Sequence, residues 1–431
     1  MDLKIKEDIQ FTALSVFSES LVKARQRIDT MNAQLRDPKT DPMTRAAVHN
    51  NIRGSIQAYD SFRIKQAKKK QDVLQKLYAK YPELDQEEIE RCLSMAVNEY
   101  EKEERNSNQL IFKPEDEFIE ITIPAYSKPS STRQDMAVLL VYFNPCSYKK
   151  LAQNLCLTYH NLTSAGIPVF LVEHCFGDQV PLFPENGTTI FNTRSDSYMF
   201  YKENLLNWLM PKVPAQYTKF FIMDCDLLFE KLTWYNDVSL LLDTYDVVQP
   251  FQDSIWLASD LKTIHFRRPG IVYASTIEQP NLGKHHPGFA WAFRRDFIEP
   301  KGIFDLNILG SGDTNIAAAV LQKELSSPEW KENSPDWMLD KYTEYYKLFE
   351  NTKVTFYSQI VYHLWHGSRP NRSYCSRYRG FKEICLDNIM VQMDGLFSFN
   401  SYGLFEFNGN ARHELNTIFL TYFQSRQEDS I

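Results

Sequence analysis

Apolar positions change their spacing along this chain near residue 108. Before it, Leu14, Phe17 and Leu21, and then Ile52, Ile56 and Tyr59, recur at the period of one helical face. The Asp37-Pro38-Lys39-Thr40-Asp41-Pro42 run between these stripes predicts an interhelix turn, because proline interrupts the helical hydrogen-bond ladder. Asp85-Gln86-Glu87-Glu88 carries the acidic cap and third-position Glu of a capping box, and Ile89, Leu93, Ala96 and Tyr100 follow on one face. Residues 1–108 are therefore expected to form a separate α-helical module. Residues 109–135, with Ser127-Lys128-Pro129-Ser130, read as a linker, although Phe118-Ile119-Glu120-Ile121-Thr122-Ile123 alternates like a strand.

From 136 to 431 strand-length apolar runs alternate with helical stripes, the pattern of an α/β domain whose largely parallel sheet is flanked by helices. Strands are expected at 136–143, 167–173, 188–191, 219–224 and 246–249. Helices are expected around Leu151, Leu155, Tyr159 and Leu162, and at 201–209. A further strand is expected at 285–295, with Pro287 and Gly288 at its entry, where backbone can approach a ligand closely. Ligands of such sheets bind beyond the carboxyl ends of the strands, where Asn144-Pro145, Glu173, Arg194 and Asp224 fall.

The chemistry is concentrated in three places. Phe220-Phe221-Ile222-Met223 runs into Asp224-Cys225-Asp226, and two carboxylates at the end of a buried strand call for a compensating cation. Hard divalent ions, Mn²⁺ or Mg²⁺, bind carboxylate and phosphate oxygens together. Far downstream another apolar strand, Val361-Tyr362, ends in His363-Leu364-Trp365-His366, whose two imidazoles can converge on one ion if the backbone turns. Gly310-Ser311-Gly312-Asp313 is a glycine-rich turn into a helix, where Asp313 is either a cap or a catalytic carboxylate.

Composition narrows the function classes. The 431 residues leave room for two or three domains, and 24% charged with 43% hydrophobic residues is ordinary for a soluble globular protein. A net charge of -7 argues against a nucleic-acid binder. Aromatic residues at 14% suit a pocket that stacks bases or sugars, or an aromatic core. Seven cysteines without framework spacing suit a reducing compartment. No apolar run reaches membrane-span length and the first residues lack a signal-peptide apolar region, so a cytoplasmic location is expected. In the helical module Arg63, Lys65, Lys68, Lys69 and Lys70 oppose Glu87, Glu88, Glu90, Glu101, Glu103 and Glu104. Those charges are either solvated faces of a helical hairpin or a surface for docking or self-association.

An ordered series of motifs carries a family resemblance from about Ala137 onward. It comprises Phe143-Asn144-Pro145, Arg194-Ser195-Asp196 with Lys202-Glu203-Asn204-Leu205-Leu206-Asn207, Asp224-Cys225-Asp226 and Val247-Val248-Gln249-Pro250-Phe251. It continues through His286-Pro287-Gly288-Phe289-Ala290-Trp291-Ala292, His366-Gly367, Asn371-Arg372-Ser373-Tyr374 and Tyr422-Phe423-Gln424-Ser425-Arg426-Gln427-Glu428-Asp429. The chain resembles GT-A fold glycosyltransferases, close to family-2-like enzymes of bacteria and large DNA viruses. More distantly it is similar to galactosyltransferases with a W-G-W-G-G-E-D-D-D block followed by M/H-x-x-H. That match sets Asp313 on the general base and His363 and His366 on two metal-ligand positions. Ser311-Gly312 here replaces Gly-Glu, and Thr314-Asn315 replaces two aspartates.

The resemblance implies a GT-A (Rossmann-like) mixed sheet and transfer of a hexose or N-acetylhexosamine from a UDP-sugar to a glycan or other acceptor hydroxyl, with inversion. Asp226, with or without Asp224, joins His363 and His366 as the Mn²⁺ or Mg²⁺ ligands. Phe143, Asn144, Pro145 and Glu173 are expected at the base and ribose, Arg194 and Lys202 near the phosphates, and Cys225 and Gly288 at the same site. Trp365 and Trp291 are candidates for sugar stacking. Two alternatives compete. A sugar nucleotidyltransferase normally needs a glycine-rich triphosphate loop, which Pro145-Cys146-Ser147-Tyr148-Lys149-Lys150 lacks. A non-catalytic carbohydrate-binding or scaffold protein has no reason to keep D-x-D, H-x-x-H and Asp313 together.

Overall fold

A computed structural model describes residues 64, 66–109, 133–325, 328–367, 369–372, 396–408 and 411–430. The chain divides into two compact units, Met1–Asp116 and Glu117–Ile431. The helical stripes expected before residue 60 and the strand expected at 118–123 lie outside the described residues.

In the first unit, helix α1 (66–80) and helix α2 (Gln86–Gln109) form a hairpin. Val73, Leu74 and Leu77 pack against Ile89, Leu93, Ala96 and Val97, the face that the apolar spacing predicts. Asp85 accepts a hydrogen bond from the Glu87 amide at 3.2 Å and so caps α2.

The second unit is built on two sheets. Strands β1 (Met136–Phe143), β2 (Val169–Phe176), β3 (Ile190–Ser195), β4 (Lys219–Met223), β6 (Val247–Gln249), β9 (Ala290–Arg294) and β10 (Val354–Phe356) form a seven-stranded sheet ordered β10-β6-β9-β4-β1-β2-β3. Its centre is largely apolar because both faces are covered: β2 and β4 are buried at every position, Glu173, His174 and Lys219 included. Helix α3 (Lys149–Ser164) makes the crossover from β1 to parallel β2 and buries Leu155, Thr158 and Leu162, while helix α4 (Lys202–Leu209) buries Leu205, Leu206 and Leu209. The sheet is mixed and largely parallel, as expected: β9 runs antiparallel between β4 and β6, and the other neighbours pair in parallel. The strand expected at 285–295 is shorter, starting at Ala290, because Pro287 and Gly288 interrupt the ladder before it.

The smaller sheet, of which the apolar pattern predicts only the strand ending at His363, is ordered β5-β11-β7-β8 and consists of β5 (Leu227–Phe229), β7 (Asp253–Leu257), β8 (Ile264–Pro269) and β11 (Ile360–His363). Asp224-Cys225-Asp226 is thus the corner at which the chain leaves β4 in the large sheet and enters β5 in the small one. Helix α5 (Gly312–Leu321), helix α6 (Asp336–Lys347), the β12–β13 hairpin (Phe397–Phe399, Phe405–Phe407) and helix α7 (Ala411–Ser425) supply further apolar cover. Among the described residues no helix is long and apolar enough to cross a membrane.

Candidate metal centre and adjoining carboxylates

Strand pairing brings the two distant histidine and aspartate segments together. β5 and β11 run antiparallel with Leu227 opposite His363, and the Leu364 amide donates to the Asp226 carbonyl at 2.8 Å. The side chains follow: one donor atom from each of Asp226, His363 and His366 lies within 4.8 Å of the others. His366 Nε2 is 2.9 Å from Asp226 Oδ2 and 3.1 Å from His363 Nε2, and His363 Nε2 is 3.6 Å from Asp226 Oδ2. All three residues are buried, and Asp226 Oδ1 and His363 Nδ1 have no hydrogen-bond partner among the described residues. Two imidazole nitrogens and a carboxylate facing one another in a dry place, with a carboxylate oxygen left over, fit a divalent cation.

Electrostatics sharpen that picture. Burial works against the Asp226 carboxylate, but His366 and the Arg372 cation reverse the effect and hold its pKa well below the usual range. Burial pushes His363 down to about 3, which keeps it neutral and able to ligate. His366 moves the other way. Burial and Arg372 lower its pKa, and Glu428 and Asp226 more than offset them.

Each imidazole is oriented differently. The His363 ring stacks on Phe289, with centroids 4.8 Å apart and planes 13° apart. Phe289 holds this place with a positive φ of 74°, strained for a bulky residue, while its carbonyl accepts from the Asp224 amide at 2.9 Å. His366 is instead hydrogen-bonded through Nδ1 to Glu428, which pairs with Arg426, and Arg372 Nη2 lies 2.8 Å from His366 Nε2. Glu428 is one residue that sequence reasoning missed. It stands in the Tyr422–Asp429 motif, but nothing local says that this acid meets a histidine so far upstream.

Asp224 belongs to a second group. The Lys202 ammonium, at the start of α4, bridges Asp224 Oδ1 at 2.6 Å and Asp313 Oδ1 at 2.9 Å. Burial opposes the Lys202 charge, yet Asp224 and Asp313 raise its pKa well above the ordinary value. Burial likewise lifts Asp224 to about 6, with Lys202 opposing and Asp313 and Asp226 adding to the rise. Ser311, with φ 81°, occupies the N-cap of α5 and makes no side-chain cap bond, whereas Asp313 in the first turn reaches across to Lys202. Two glycines let this happen. A Cβ at Gly288 would collide with the Asp313 carboxylate, and one at Gly312 would collide with Glu203. Glu203, another residue that sequence reasoning did not single out, is buried with Oε2 unpartnered, and burial raises its pKa to about 8.

The remaining expected contacts are largely engaged with the protein itself. Asn144 closes the turn after β1, donating from Nδ2 to the Tyr148 carbonyl at 2.8 Å and accepting at Oδ1 from the Tyr148 amide at 2.9 Å. Phe143 packs edge-on to Phe200 at 5.0 Å. Pro145 lines an open cleft of about 460 Å³ with Cys146, Tyr148, Gln424 and Gln427. Glu173 accepts the amides of Leu182 and Phe183 at 2.7 and 2.9 Å, and Arg194 donates to the carbonyls of Gly177 and Gln179. These two residues hold the loop after β2, and Gln179 ties that loop to the Asn144 carbonyl at 3.0 Å. Cys225 donates weakly to the Val141 carbonyl at 3.2 Å, and burial next to two aspartates pushes its thiol pKa well up. Trp365 is buried, its indole N–H donating to the Ser430 carbonyl at 2.9 Å, and Trp291 is buried in β9 with its indole N–H on the Pro287 carbonyl at 3.1 Å. The structure therefore gathers Asp226, His363 and His366 in one group and Lys202, Asp224, Asp313 and Gly288 in a neighbouring one. Glu173, Asn144, Arg194 and the two tryptophans are drawn into the framework.

No family model matches the chain. No curated protein sequence matches it. Among solved structures it is similar to the catalytic domain of Drosophila beta1,4-galactosyltransferase 7 in complex with xylobiose, at 13% identity and a TM-score of 0.26, covering 44% of this chain and 62% of that one. It is also similar to Mycobacterium tuberculosis glucosyl-3-phosphoglycerate synthase in complex with Mg²⁺ and UDP, at 10% identity, TM-score 0.26, and 62% and 83% coverage. A third likeness is to 4-diphosphocytidyl-2C-methyl-D-erythritol synthase from Anaerococcus prevotii, at 10% identity, TM-score 0.27, and 52% and 89% coverage. The chain thus spans less than two thirds of the galactosyltransferase domain, and likenesses of this degree leave the chemistry to be argued from its own residues.

Proposed function

We propose that this chain is a GT-A-type, divalent-metal-dependent glycosyltransferase that moves a hexose or N-acetylhexosamine from a UDP-sugar to an acceptor hydroxyl with inversion. The observation that carries the reading is the meeting of Asp226, His363 and His366 within 4.8 Å, in a chain whose Asp224 is linked through Lys202 to Asp313. Asp226, His363 and His366 would hold Mn²⁺, which two imidazoles favour over the strictly oxygen-seeking Mg²⁺. When bound, the cation supplies positive charge to a diphosphate leaving group.

The protein's own groups divide the remaining work. Asp313 takes the proton of the acceptor hydroxyl as the acceptor oxygen bonds to the anomeric carbon, and the bond from that carbon to the phosphate oxygen breaks to release UDP. Its side chain is 37% exposed, open enough for an acceptor to reach, while Lys202 holds one carboxylate oxygen in place. Gly288 keeps the space in which that carboxylate sits. A sugar nucleotidyltransferase is less well supported, since the β1–α3 turn has no glycine and Asn144 closes it on itself.

The test is a screen of UDP-sugars with and without Mn²⁺, read by thermal shift and by release of UDP, since donor binding stabilises the fold by mass action. Mn²⁺-dependent stabilisation and UDP release are expected. Absence of both with every donor would reject the reading, and a product of retained anomeric configuration would reject the inverting scheme.

A further inference from the structure

We infer that Glu428 is a positioning residue of the metal centre, orienting His366 so that its Nε2 lone pair faces Asp226 and His363; this rests on the metal-dependent reading above. A histidine that ligates a metal is commonly held by a partner on its other ring nitrogen, because that bond selects the tautomer and stops the ring from turning. His363 has no such partner at Nδ1 and relies on its stack with Phe289. His366 has one: Nδ1 is hydrogen-bonded to Glu428 Oε2, which leaves Nε2 toward the other two donors. Arg372 Nη2 lies along the same ring edge, 2.8 Å from Nε2 and 3.2 Å from Nδ1.

The segment that follows α7 is fastened in a way that keeps Glu428 in register. Asp429 accepts the amides of Lys149 and Lys150 at 3.0 and 2.8 Å, capping the start of α3. Tyr148 donates its hydroxyl to the carbonyl of Gln424 at 2.9 Å, and the Trp365 indole donates to the Ser430 carbonyl at 2.9 Å. Gly367 stands where a Cβ would come within 2.9 Å of both the Gln427 carbonyl oxygen and Glu428 Cα, and its φ of 86° also favours glycine. Arg426 pairs with Glu428 itself. Backbone on both sides of the acid is therefore pinned to the turn after β1 and to the His366 segment, and the buried carboxylate is directed at one imidazole nitrogen.

The experiment measures Mn²⁺ binding to the full chain by electron paramagnetic resonance, for the wild type, H363A, E428A and E428M. Spin-echo modulation from directly coordinated imidazole nitrogen serves as a second readout. E428A and E428M are expected to weaken Mn²⁺ binding by about 10–100-fold and to lose part of the nitrogen modulation, with circular dichroism of the metal-free protein unchanged. E428M fills the volume of the acid without offering a strong acceptor, so it carries the comparison if the alanine variant does not fold. Wild-type affinity and wild-type nitrogen modulation in either folded variant would overturn the inference while leaving the metal site standing. A wild-type protein that binds no Mn²⁺ would overturn the metal-dependent reading, and this role for Glu428 with it.

Discussion

His366 Nε2 lies 2.9 Å from Asp226 Oδ2, although one residue follows a strand of the small sheet and the other turns the corner between the two sheets. If that contact marks a shared ion, Asp226→Ala and His366→Ala should each weaken Mn²⁺ binding by more than about 100-fold, beyond the cost of losing an outer-shell partner. Mn²⁺-dependent turnover should vanish with it. Calorimetric titration with Mn²⁺ checks this, and undiminished binding by both variants would count decisively against the centre.

Nitrogen donors also predict a metal preference. Mn²⁺ should support UDP-sugar turnover at lower concentration than Mg²⁺, because Mg²⁺ holds to oxygen ligands and sheds water reluctantly. Titrating activity with each ion decides the point, and equal potency would argue that the histidines do not ligate.

Asp313→Asn should keep donor binding and lose transfer by about 10²–10⁴-fold, the usual contribution of a positioned base. Gly288→Ala should act in the same direction, because the added Cβ displaces the Asp313 carboxylate. A shift of that kind costs about 10–100-fold. Unchanged transfer by Asp313→Asn, measured at saturating acceptor, removes Asp313 as the base.

Removing the Lys202 charge leaves Asp224 and Asp313 facing each other. Lys202→Met should lower stability by about 2–3 kcal/mol, less than for a fully buried pair because Asp313 reaches solvent. Urea unfolding at neutral pH measures it, and a variant as stable as the wild type would mean that the bridge contributes nothing.

Glu203 makes stability depend on pH. Its folded pKa, raised by burial to about 8, lies above the ordinary 4.5. The folded state therefore binds the proton more tightly, so the contribution is fully present below about pH 4.5 and is lost as pH rises through about 8, at up to about 1.4 kcal/mol per pH unit. Glu203→Gln should gain stability relative to the wild type at pH 8 and show little gain at pH 5. Equal differences at the two pH values would contradict the assignment.

Much of the framework is legible in the spacing of apolar residues. The run Met136–Phe143 is an apolar stretch of strand length, and in the stripe through Leu155 and Leu162 and in the Lys202–Leu209 helix burial follows the helical period, so all three are local patterns. The strand before His363 was legible as an apolar run, but the small sheet it belongs to was not, because Leu227–Phe229 and Ile360–His363 are too short to carry a period and their pairing with each other is set by the tertiary fold. Arg194 sits near the end of β3 as the pattern suggested, whereas β2 runs on to Phe176 and leaves Glu173 inside the strand; the hydrogen-bond partners of both are main-chain atoms of a loop, to which sequence gives no pointer.

What the sequence determined alone was the inventory of donors: two carboxylates one residue apart, two imidazoles on one turn, and an acid after a glycine-rich loop. What only the tertiary structure decided was their partnership. At the corner between the sheets Asp224 and Asp226 leave the chain toward different neighbours, so one meets Lys202 and the other meets His363 and His366. Charge pairing acts over a few ångströms of space, and separation along the chain does not report that distance.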